Sequence, residues 1–434
     1  KQSNLRASKV KFIQSETLDR RRVHLGRMSP DKEFSVSTDA IALVKELITK
    51  YNWEPVSDVK YYPGTEAGDG YACKHVAVEI TRPAGDIKLF IKYSLDFKES
   101  KNMVIDKFFA NETYFYKTVY PTYVKFISAR NCQNGFREAP KCYGFTPKNT
   151  IALENLRYKG FNLHDRRKTM DQKHINLVLK TLAKFHATSF AFKDQDPDAY
   201  QKLADKCAGD FFSQQPKDSP TIRIFFEIIQ EGLDKLDPEK DKKILDKCNT
   251  RDLMDSILNL GENLNEYSII SQGDCWCNNV MFQYEEETKA NPIDVMLIDW
   301  QVLRSASPAY DLSYFFYTIA SQESLTNLNS HLEIYYEELS EQIRQLGSNP
   351  EILYPEDVFR NEWRRCSKYG FALAFVLLKF MLANKDEVPK LENIGLENLK
   401  VGENIGLFPK YENEEEYLGR VKMLAGFMVD NDYI

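Results

Sequence analysis

The sequence has no long hydrophobic run and no excess of basic residues. Its most apolar stretch, residues 371–378, is much shorter than the roughly 20 apolar residues that a membrane-spanning helix needs. The net charge of −6 offers no electrostatic basis for binding nucleic acid or an anionic membrane surface. We therefore expect no nucleic-acid partner and no membrane association, and interpret the apolar stretch as part of a buried helix.

The cysteines do not follow the spacing of a zinc site. Cys275 and Cys277 lie two residues apart but have no second pair nearby. We interpret all 8 cysteines as free thiols in a reducing cytosol, although their even number leaves disulfides as an alternative. The first ten residues carry charge but no apolar segment, so no signal peptide is predicted and we expect a cytoplasmic location.

The overall composition is that of an ordinary globular protein. With 434 residues, 43% hydrophobic and 28% charged, the chain is long enough for two domains. Its 24 Tyr and 27 Phe can fill a large core. No repeat of fixed period is visible, and no sequence feature defines an oligomeric state.

Three polar side chains flank a predicted β-hairpin. Asp274 and Asn279 precede one stretch of alternating apolar residues, and Asp299 ends a second stretch. Residues 285–292 between them are polar and typical of a turn. A hairpin would bring Asp299 back beside Asn279, so two carboxylates and an amide would surround one point.

These residue types suit phosphoryl transfer. That reaction needs a carboxylate to orient and deprotonate a hydroxyl group, and oxygen ligands for the Mg²⁺ that bridges the ATP phosphates. In this interpretation Asp274 is the catalytic base, and Asn279 and Asp299 are the metal ligands. The alternative is that all three residues only cap turns, since short polar motifs recur often.

A glycine-rich segment at residues 63–71 is a candidate phosphate-binding loop. Gly64, Gly68 and Gly70 would let the backbone approach a ligand, with N–H groups facing its phosphates. The spacing matches neither the protein-kinase glycine loop nor the Walker loop. The alternative is a glycine-rich hairpin turn.

A lysine and a glutamate are predicted to pair next to this loop. Lys92 lies on the second strand of a hairpin, and Glu112 falls in the apolar stripe of a helix predicted over residues 100–120. A buried carboxylate is costly unless it is paired, and Lys92 is the nearest candidate. Such a pair would bind ATP phosphates. Alternatively, Lys92 is solvated and Glu112 reaches the surface.

We predict three regions and an α+β fold class. Residues 1–35, which are basic and polar, form a flexible arm; residues 36–156 form an ATP-binding N-lobe; residues 157–434 form a catalytic and substrate-binding C-lobe. Glu154 and Leu156 lie where a strand meets the linker, and their backbone groups would contact adenine.

Apolar periodicity predicts several helices. The first begins with Thr38 or Asp39 as its cap. His186 shares the apolar face of another helix, which indicates a core histidine. Asp311 either caps a helix or accepts N–H bonds from the Asp274 loop. The predicted helices lie at residues 38–51, 173–193, 220–236, 242–266, 312–319, 326–345 and 356–384.

Several motifs occur in an order and spacing that together are specific. They are Gly68-Asp-Gly-Tyr-Ala72, Phe90-Ile-Lys92, Asn111-Glu112, Leu153-Glu-Asn-Leu156, Leu182-Ala-Lys-Phe-His-Ala187, Gly273-Asp-Cys-Trp-Cys-Asn-Asn279, Ile298-Asp-Trp-Gln301 and Ser307-Pro-Ala-Tyr-Asp311. With them the chain resembles the ecdysteroid-kinase-like family of arthropods and nematodes, which is similar to choline kinases and aminoglycoside phosphotransferases.

The resemblance implies a bilobal protein-kinase-like fold: an N-lobe with an antiparallel sheet and a helix, and a larger, mainly helical C-lobe. It also implies ATP- and Mg²⁺-dependent phosphorylation of a small-molecule hydroxyl, such as that of an ecdysteroid or another steroid alcohol. In the related enzymes, the acceptor is instead choline or an aminoglycoside. Asp274 matches the family's catalytic aspartate, Asn279 and Asp299 its metal ligands, and Lys92 its phosphate lysine.

Two positions depart from the family pattern. Gln272 stands where the family usually has His, and Trp300 where it commonly has Phe. The first change leads to a rival hypothesis, a kinase-fold binding or regulatory protein with little turnover.

Overall fold

The computed structural model describes residues 36–65, 73–94, 103–147, 149–207, 219–259, 264–286, 288–384, 387 and 411–434. The predicted arm at residues 1–35 and two of the loop glycines, Gly68 and Gly70, lie outside these ranges. Residues 36–434 group into one compact unit. The division of this unit into two lobes near residue 156 stays a prediction.

An antiparallel sheet is built from the first part of this unit. Its five strands are β1 (Asp58–Pro63), β2 (Lys74–Thr81), β3 (Ile87–Tyr93), β4 (Cys142–Thr146) and β5 (Thr150–Glu154). Their order in the sheet is β1-β2-β3-β5-β4. The predicted hairpin is confirmed as β2 and β3, with His75 opposite Lys92.

The first helix, α1 (Thr38–Lys50), packs against this sheet, with Leu47 close to Gly144 of β4. Its predicted cap is wrong by one residue. Ser37 has an extended backbone and its Oγ accepts a hydrogen bond from the Ala40 N–H, whereas Thr38 is already helical.

The helix that carries Glu112 is longer than predicted. It consists of α2 (Met103–Tyr114), a π-helical turn (Phe115–Val119) and α3 (Tyr120–Ala129). Pro121 is compatible with the first turn of α3, so the proline does not end the helix. The π-helical turn places Phe115 in a parallel stack on Trp300, with ring centroids 3.8 Å apart.

Two small sheets follow. Their strands are β6 (Phe161–Leu163), β7 (Ile269–Ser271), β8 (Val280–Tyr284), β9 (Pro292–Leu297) and β10 (Arg304–Ala306). The sheets have the orders β6-β8-β9 and β10-β7. The predicted hairpin after Asp274 is confirmed: β8 and β9 pair antiparallel, with Val280 opposite Leu297.

The rest of the described chain is mainly helical, which confirms the α+β class. The helices are α4 (Gln172–Gln195), α5 (Pro197–Ala204), α6 (Pro220–Asp234), α7 (Lys242–Leu245), α8 (Thr250–Leu258), α9 (Pro308–Ile319), α10 (Gln322–Thr326), α11 (Leu328–Gln345), α12 (Pro350–Leu353), α13 (Glu356–Leu382) and α14 (Glu414–Asp430).

Two helix predictions are wrong at their ends. The helix expected at 242–266 is two short helices, because the side chain of Asn249 caps α8 and interrupts the run. The helix expected at 326–345 begins at Leu328, since Asn327 ends the short preceding helix.

The core of the helical part is the crossing of α9 and α13. Gly370 of α13 lies against Ser313 of α9, and a Cβ at Gly370 would be 2.3 Å from the Ser313 backbone. The apolar residues 371–378 are part of α13, as predicted. Across the described residues, no helix is long and apolar enough to cross a membrane. All eight cysteines are free thiols.

Candidate active site

The loop after β7 and the β8–β9 hairpin bring Asp274, Asn279 and Asp299 together. The Asn279 side-chain amide donates to the Asp274 carbonyl at 2.9 Å and to Asp274 Oδ2 at 2.8 Å. The Ile298 N–H, next to Asp299, donates to the Asn279 carbonyl at 3.0 Å. The hairpin therefore returns Asp299 to Asn279, as its sequence pattern predicts.

Gln272 joins the two aspartates through their backbone. Its Oε1 accepts a hydrogen bond from the Asp274 N–H at 2.7 Å, and its Nε2 donates to the Asp299 carbonyl at 3.0 Å. Asp299 has a left-handed backbone with φ of 61°, a conformation that is uncommon for residues other than glycine. The Gln272 bridge helps to hold this turn in place.

The buried Asp311 holds the loop that precedes Asp274 through hydrogen bonds to its backbone. Asp311 accepts hydrogen bonds from the N–H groups of Gln272 at 2.8 Å and Gly273 at 2.9 Å. Of the two roles considered for Asp311, this one is present, while the cap of α9 is Ser307. Gly273 has φ of 86°, and a Cβ there would lie 2.2 Å from the Val302 carbonyl oxygen, so only glycine fits.

His186 belongs to the same anchor. Its ring lies within hydrogen-bonding distance of Asp311 Oδ2, at 3.2 Å, and of the Tyr335 hydroxyl, at 2.9 Å. The side chain is completely buried, so the prediction of a hydrogen-bonded core histidine is confirmed.

Lys92 is buried between two carboxylates. Its Nζ lies 2.8 Å from Glu112 Oε2 and donates to Asp299 Oδ1 at 2.6 Å. The predicted pair is present, and the alternatives of a solvated Lys92 and an exposed Glu112 are wrong. Burial opposes the charge on Lys92, but the carboxylates of Asp299 and Glu112 outweigh it and hold the pKa of Lys92 well above its ordinary value.

The pKa of the Asp274 carboxyl group lies near neutral pH. Burial raises its pKa to about 7, and the negative charge of Asp299 acts in the same direction. Hydrogen bonds from Tyr314 and Asn279 act against this shift. The Tyr314 hydroxyl donates to Asp274 Oδ1 at 2.7 Å.

Sequence reasoning missed Tyr314. It lies forty residues after Asp274, on an aromatic helix that reads as ordinary core. The only signal is that this helix also carries Asp311, which the sequence analysis already connected with the Asp274 loop.

One cavity of about 250 Å³ is bordered by the side chains of Lys92, Glu112, Asp274, Asn279 and Asp299. Thr65, Phe90 and Lys92 line it from the five-stranded sheet or its loops, whereas Asp274 and Asn279 line it from the loop after β7. Further lining residues are Cys73, His75, Glu112, Pro140, Leu153, Glu154, Asn155, Leu156, Arg157, Leu163, Trp276, Asn278, Met281, Ile298, Asp299, Gln301 and Leu377.

Gly64 packs against the neighbouring strand. Its N–H donates to the His75 carbonyl at 3.0 Å, and a Cβ at Gly64 would lie 2.7 Å from the His75 backbone. This close approach explains a glycine at position 64 without any ligand, and the proposed contact of Gly64 with phosphates stays a prediction.

Glu154 and Leu156 lie where the chain leaves β5. The Glu154 carboxylate accepts a hydrogen bond from the Lys141 N–H at 2.8 Å and pairs with Lys159. Leu156 is the first residue of the 3₁₀ turn Leu156–Lys159, so its N–H has no partner within that turn. Both residues line the cavity, and the contact of their backbone groups with adenine stays a prediction.

The oxygen atoms of the site suit a magnesium ion. Asn279 Oδ1 and Asp299 Oδ2 accept no hydrogen bond from the described residues, although the other polar atom of each side chain is engaged. Such sites use one or two protein carboxylates or amides and take the other ligands from phosphates and water. Among the described residues, no group of three or more His, Cys, Asp or Glu side chains has an arrangement that could hold a metal ion by itself.

Comparison with solved structures finds distant relatives among kinases. An ethanolamine kinase of Plasmodium vivax is 14% identical (TM-score 0.39; 92% of this chain and 91% of that chain covered). A choline kinase from Cryptosporidium parvum Iowa II is 12% identical (0.43; 91% and 98%). The GDP complex of an aminoglycoside 2'-phosphotransferase is 11% identical (0.37; 79% and 97%).

No curated protein matches the sequence. The model of the ecdysteroid kinase-like family matches residues 67–348, which is more than half of the 434 residues. This chain therefore belongs to the ecdysteroid kinase-like family.

Proposed function

We propose that this protein is an ATP- and Mg²⁺-dependent phosphotransferase that acts on the hydroxyl group of a small molecule. The observation that carries the proposal is the meeting of Asp274, Asn279, Asp299 and the Lys92–Glu112 pair around one cavity. A site that only capped turns would not need a buried lysine shared between two carboxylates.

Asp274 is the proposed base. It accepts the proton of the acceptor hydroxyl as that oxygen attacks the terminal phosphoryl group. Burial and the neighbouring Asp299 raise the pKa of Asp274 to about 7, which suits a base that works near neutral pH.

Lys92 is proposed to bind the phosphates, held in place by Glu112. Asn279 and Asp299 would hold the metal, which when bound neutralises the developing charge on the phosphate oxygens. The backbone at Glu154 and Leu156 would contact adenine, and the loop that contains Gly64, Gly68 and Gly70 would cover the phosphates.

The cavity favours a neutral, apolar acceptor. Its carboxylates within the described ranges belong to Glu112, Glu154, Asp274 and Asp299. The first two are paired with lysines, and the last two have roles in the reaction. No other carboxylate there is available for a cationic acceptor such as choline or an aminoglycoside. We therefore propose that the acceptor is a neutral alcohol, such as an ecdysteroid or another steroid alcohol. We also propose a cytoplasmic location.

The test is ATP consumption with Mg²⁺ over a panel of 20-hydroxyecdysone, other sterol alcohols, choline, ethanolamine and an aminoglycoside. Asp274→Asn should lower kcat by about 10²–10⁴ because it removes the general base, while Mg-ATP binding is retained. Asp255→Asn, at an exposed position on α8, is the control and should be fully active. Full activity of Asp274→Asn would refute the assignment.

The same panel separates the rival hypothesis of a binding protein with little turnover. Gln272 already forms the bonds that hold the loop, so Gln272→His should change kcat only a few-fold. Mg-ATP binding without turnover, combined with a strong gain of activity in Gln272→His, would favour the rival hypothesis.

A further inference from the structure

The carboxylate of Asp274 is held at both of its oxygens. The Asn279 amide donates to Oδ2 at 2.8 Å, and the Tyr314 hydroxyl donates to Oδ1 at 2.7 Å. Asn279 is a proposed metal ligand, whereas Tyr314 has no role in the function proposed above. Its side chain is buried, with 7% exposure, and it is not part of the cavity wall.

The ring of Tyr314 is held by its surroundings. It packs beside Tyr369 of α13, with ring centroids 6.3 Å apart. The Tyr369 hydroxyl in turn accepts a hydrogen bond from the buried guanidinium of Arg304 at 2.8 Å. The close crossing of α9 and α13 at Gly370 sets the distance between these helices. The position of the Tyr314 hydroxyl is therefore determined by packing around it.

Two hydrogen bonds, one to each oxygen, restrict rotation of a carboxylate about its last torsion angle. An ionised carboxylate has about four acceptor positions, of which these donors occupy two. The remaining positions are available to an acceptor hydroxyl, since Asp274 lines the cavity. In phosphoryl transfer the protein works mainly by positioning, so the direction of these open lone pairs affects the rate.

We propose that Tyr314 is a positioning residue for phosphoryl transfer, whose hydroxyl fixes the orientation of the Asp274 carboxylate toward the acceptor. The proposal rests on the function proposed above. Tyr314 acts only through Asp274 and contacts neither the acceptor nor the nucleotide. In the described part of the chain, the Tyr314 hydroxyl makes no hydrogen bond with Asn279, Asp299 or Lys92.

The first experiment is Tyr314→Phe, which removes only the hydroxyl. We expect kcat to fall about 10- to 100-fold, as for other small misplacements of reacting groups. The KM of the acceptor and the Kd of Mg-ATP should stay within about twofold, since the binding surfaces are unchanged. Tyr317→Phe is the matched control. Tyr317 is a buried tyrosine on the same helix that makes no hydrogen bond with Asp274, so its variant should keep the wild-type kcat.

A double-mutant cycle with Asp274→Asn separates positioning from a general structural effect. If Tyr314 acts through the carboxylate, Tyr314→Phe should have almost no further effect on the residual rate of Asp274→Asn. Radiolabelled ATP provides the sensitivity for this measurement. An equal fall in both backgrounds, or a loss of Mg-ATP affinity in Tyr314→Phe, would mean a structural role and overturn the inference.

Failure of the inference can be told from failure of the proposed function. If Tyr314→Phe keeps the wild-type kcat while Asp274→Asn loses it, the inference is wrong and the function stands. If the wild-type protein phosphorylates no acceptor of the panel, both are rejected together.

Discussion

At the scale of single residues, the site is a balance of charges around one lysine. Lys92 contacts two carboxylates. Among the described residues, the donors to the Asp274 carboxylate are the neutral groups of Asn279 and Tyr314. Burial of Asp274 and, to a smaller extent, repulsion from the charge of Asp299 therefore raise the pKa of Asp274 to about 7. The residue that is proposed to accept a proton therefore has a raised pKa in the folded protein.

This imbalance predicts a pH-dependent effect of Asp274→Asn on stability in metal-free solution with EDTA. Because the pKa of Asp274 is raised in the folded state from 3.8 to about 7, the folded protein holds a proton that the unfolded chain releases. Stability is then lost as pH rises through this window. Asparagine does not titrate, so the variant should gain about 2 kcal/mol relative to wild type between pH 5 and pH 8, after allowing for the access of Asp274 to the cavity.

Urea denaturation at both pH values measures this difference. Asp255→Asn, on the surface of α8, should show no comparable change. A constant difference between Asp274→Asn and wild type across the range would contradict the raised pKa.

A second residue-scale prediction concerns the shared lysine. Lys92→Met leaves the buried Glu112 and the partly exposed Asp299 without a cation, which should lower the free energy of unfolding by about 3 kcal/mol. Glu112→Gln should cost less, because Lys92 keeps Asp299 as its partner. Lys88→Met on the same strand removes a more exposed pair with Glu79 and should cost at most about 1 kcal/mol.

Chemical denaturation at neutral pH ranks these three variants. Equal losses for Lys92→Met and Lys88→Met would show that the buried network contributes no more than a surface pair.

At the scale of elements, the close crossing of α9 and α13 determines where Tyr314 lies relative to Asp274. Gly370 allows the two helices to approach until α13 touches the backbone of Ser313, one residue before Tyr314. Any side chain at this position must push the helices apart, because the obstacle is backbone and not a flexible side chain. The hydroxyl that holds Asp274 therefore depends on a glycine on another helix.

Gly370→Ala should both destabilise the protein and lower kcat. The Cβ would lie 2.3 Å from the Ser313 backbone, and forcing such an atom into a packed core costs about 1–3 kcal/mol. Displacement of α9 should move Tyr314 away from Asp274 and lower kcat more than it changes the Kd of Mg-ATP.

Gly419→Ala on α14 is the control, since a Cβ there meets no atom within 4 Å. This control should raise stability by about 0.5–1 kcal/mol through helix propensity, with kcat unchanged. A Gly370→Ala variant as stable and active as Gly419→Ala would contradict the close crossing.

At the scale of the whole molecule, distant parts of the chain share one cavity. Lys92 and Asp299 are 207 residues apart in sequence and yet form a hydrogen bond. A ligand in the cavity would contact the five-stranded sheet and the β8–β9 hairpin at once. Its binding energy should therefore stabilise the folded unit as a whole.

Mg-ADP should raise the free energy of unfolding by about 2.7 kcal/mol at a ligand concentration of 100 Kd. ADP with EDTA should stabilise less, since the metal ligation is lost. In Asp299→Asn the difference between Mg-ADP and ADP with EDTA should largely disappear, because one proposed metal ligand has become neutral. Thermal denaturation measures the effect in wild type and in Asp299→Asn, each with Mg-ADP and with ADP plus EDTA. A Mg²⁺ effect in Asp299→Asn equal to that of wild type would contradict this assignment.

Local pattern was enough to predict the strands of the two hairpins and several of the longer helices. It did not predict the short strands β4, β6, β7 and β10 or the helices α5, α10, α12 and α14. Alternation predicted the β2–β3 and β8–β9 hairpins, and a carboxylate in an apolar stripe predicted that Glu112 is buried and paired. Errors in the helix bounds occur where the predicted helix breaks before Asn249 and where the helix of Glu112 continues through the π-helical turn after Tyr114. There a single side-chain hydrogen bond or a tertiary stack outweighs the small differences in helix propensity.

The amino-acid sequence by itself determined which groups the site contains, because motif spacing places Asp274, Asn279 and Asp299 on one hairpin and its preceding loop. Only the tertiary structure decided how these groups are held. The Tyr314 hydroxyl, the Gln272 bridge and the sharing of Lys92 between two carboxylates all join atoms through space. Periodicity reports which face of an element is buried, but the partner on that face depends on how the elements pack, and packing involves residues hundreds of positions apart.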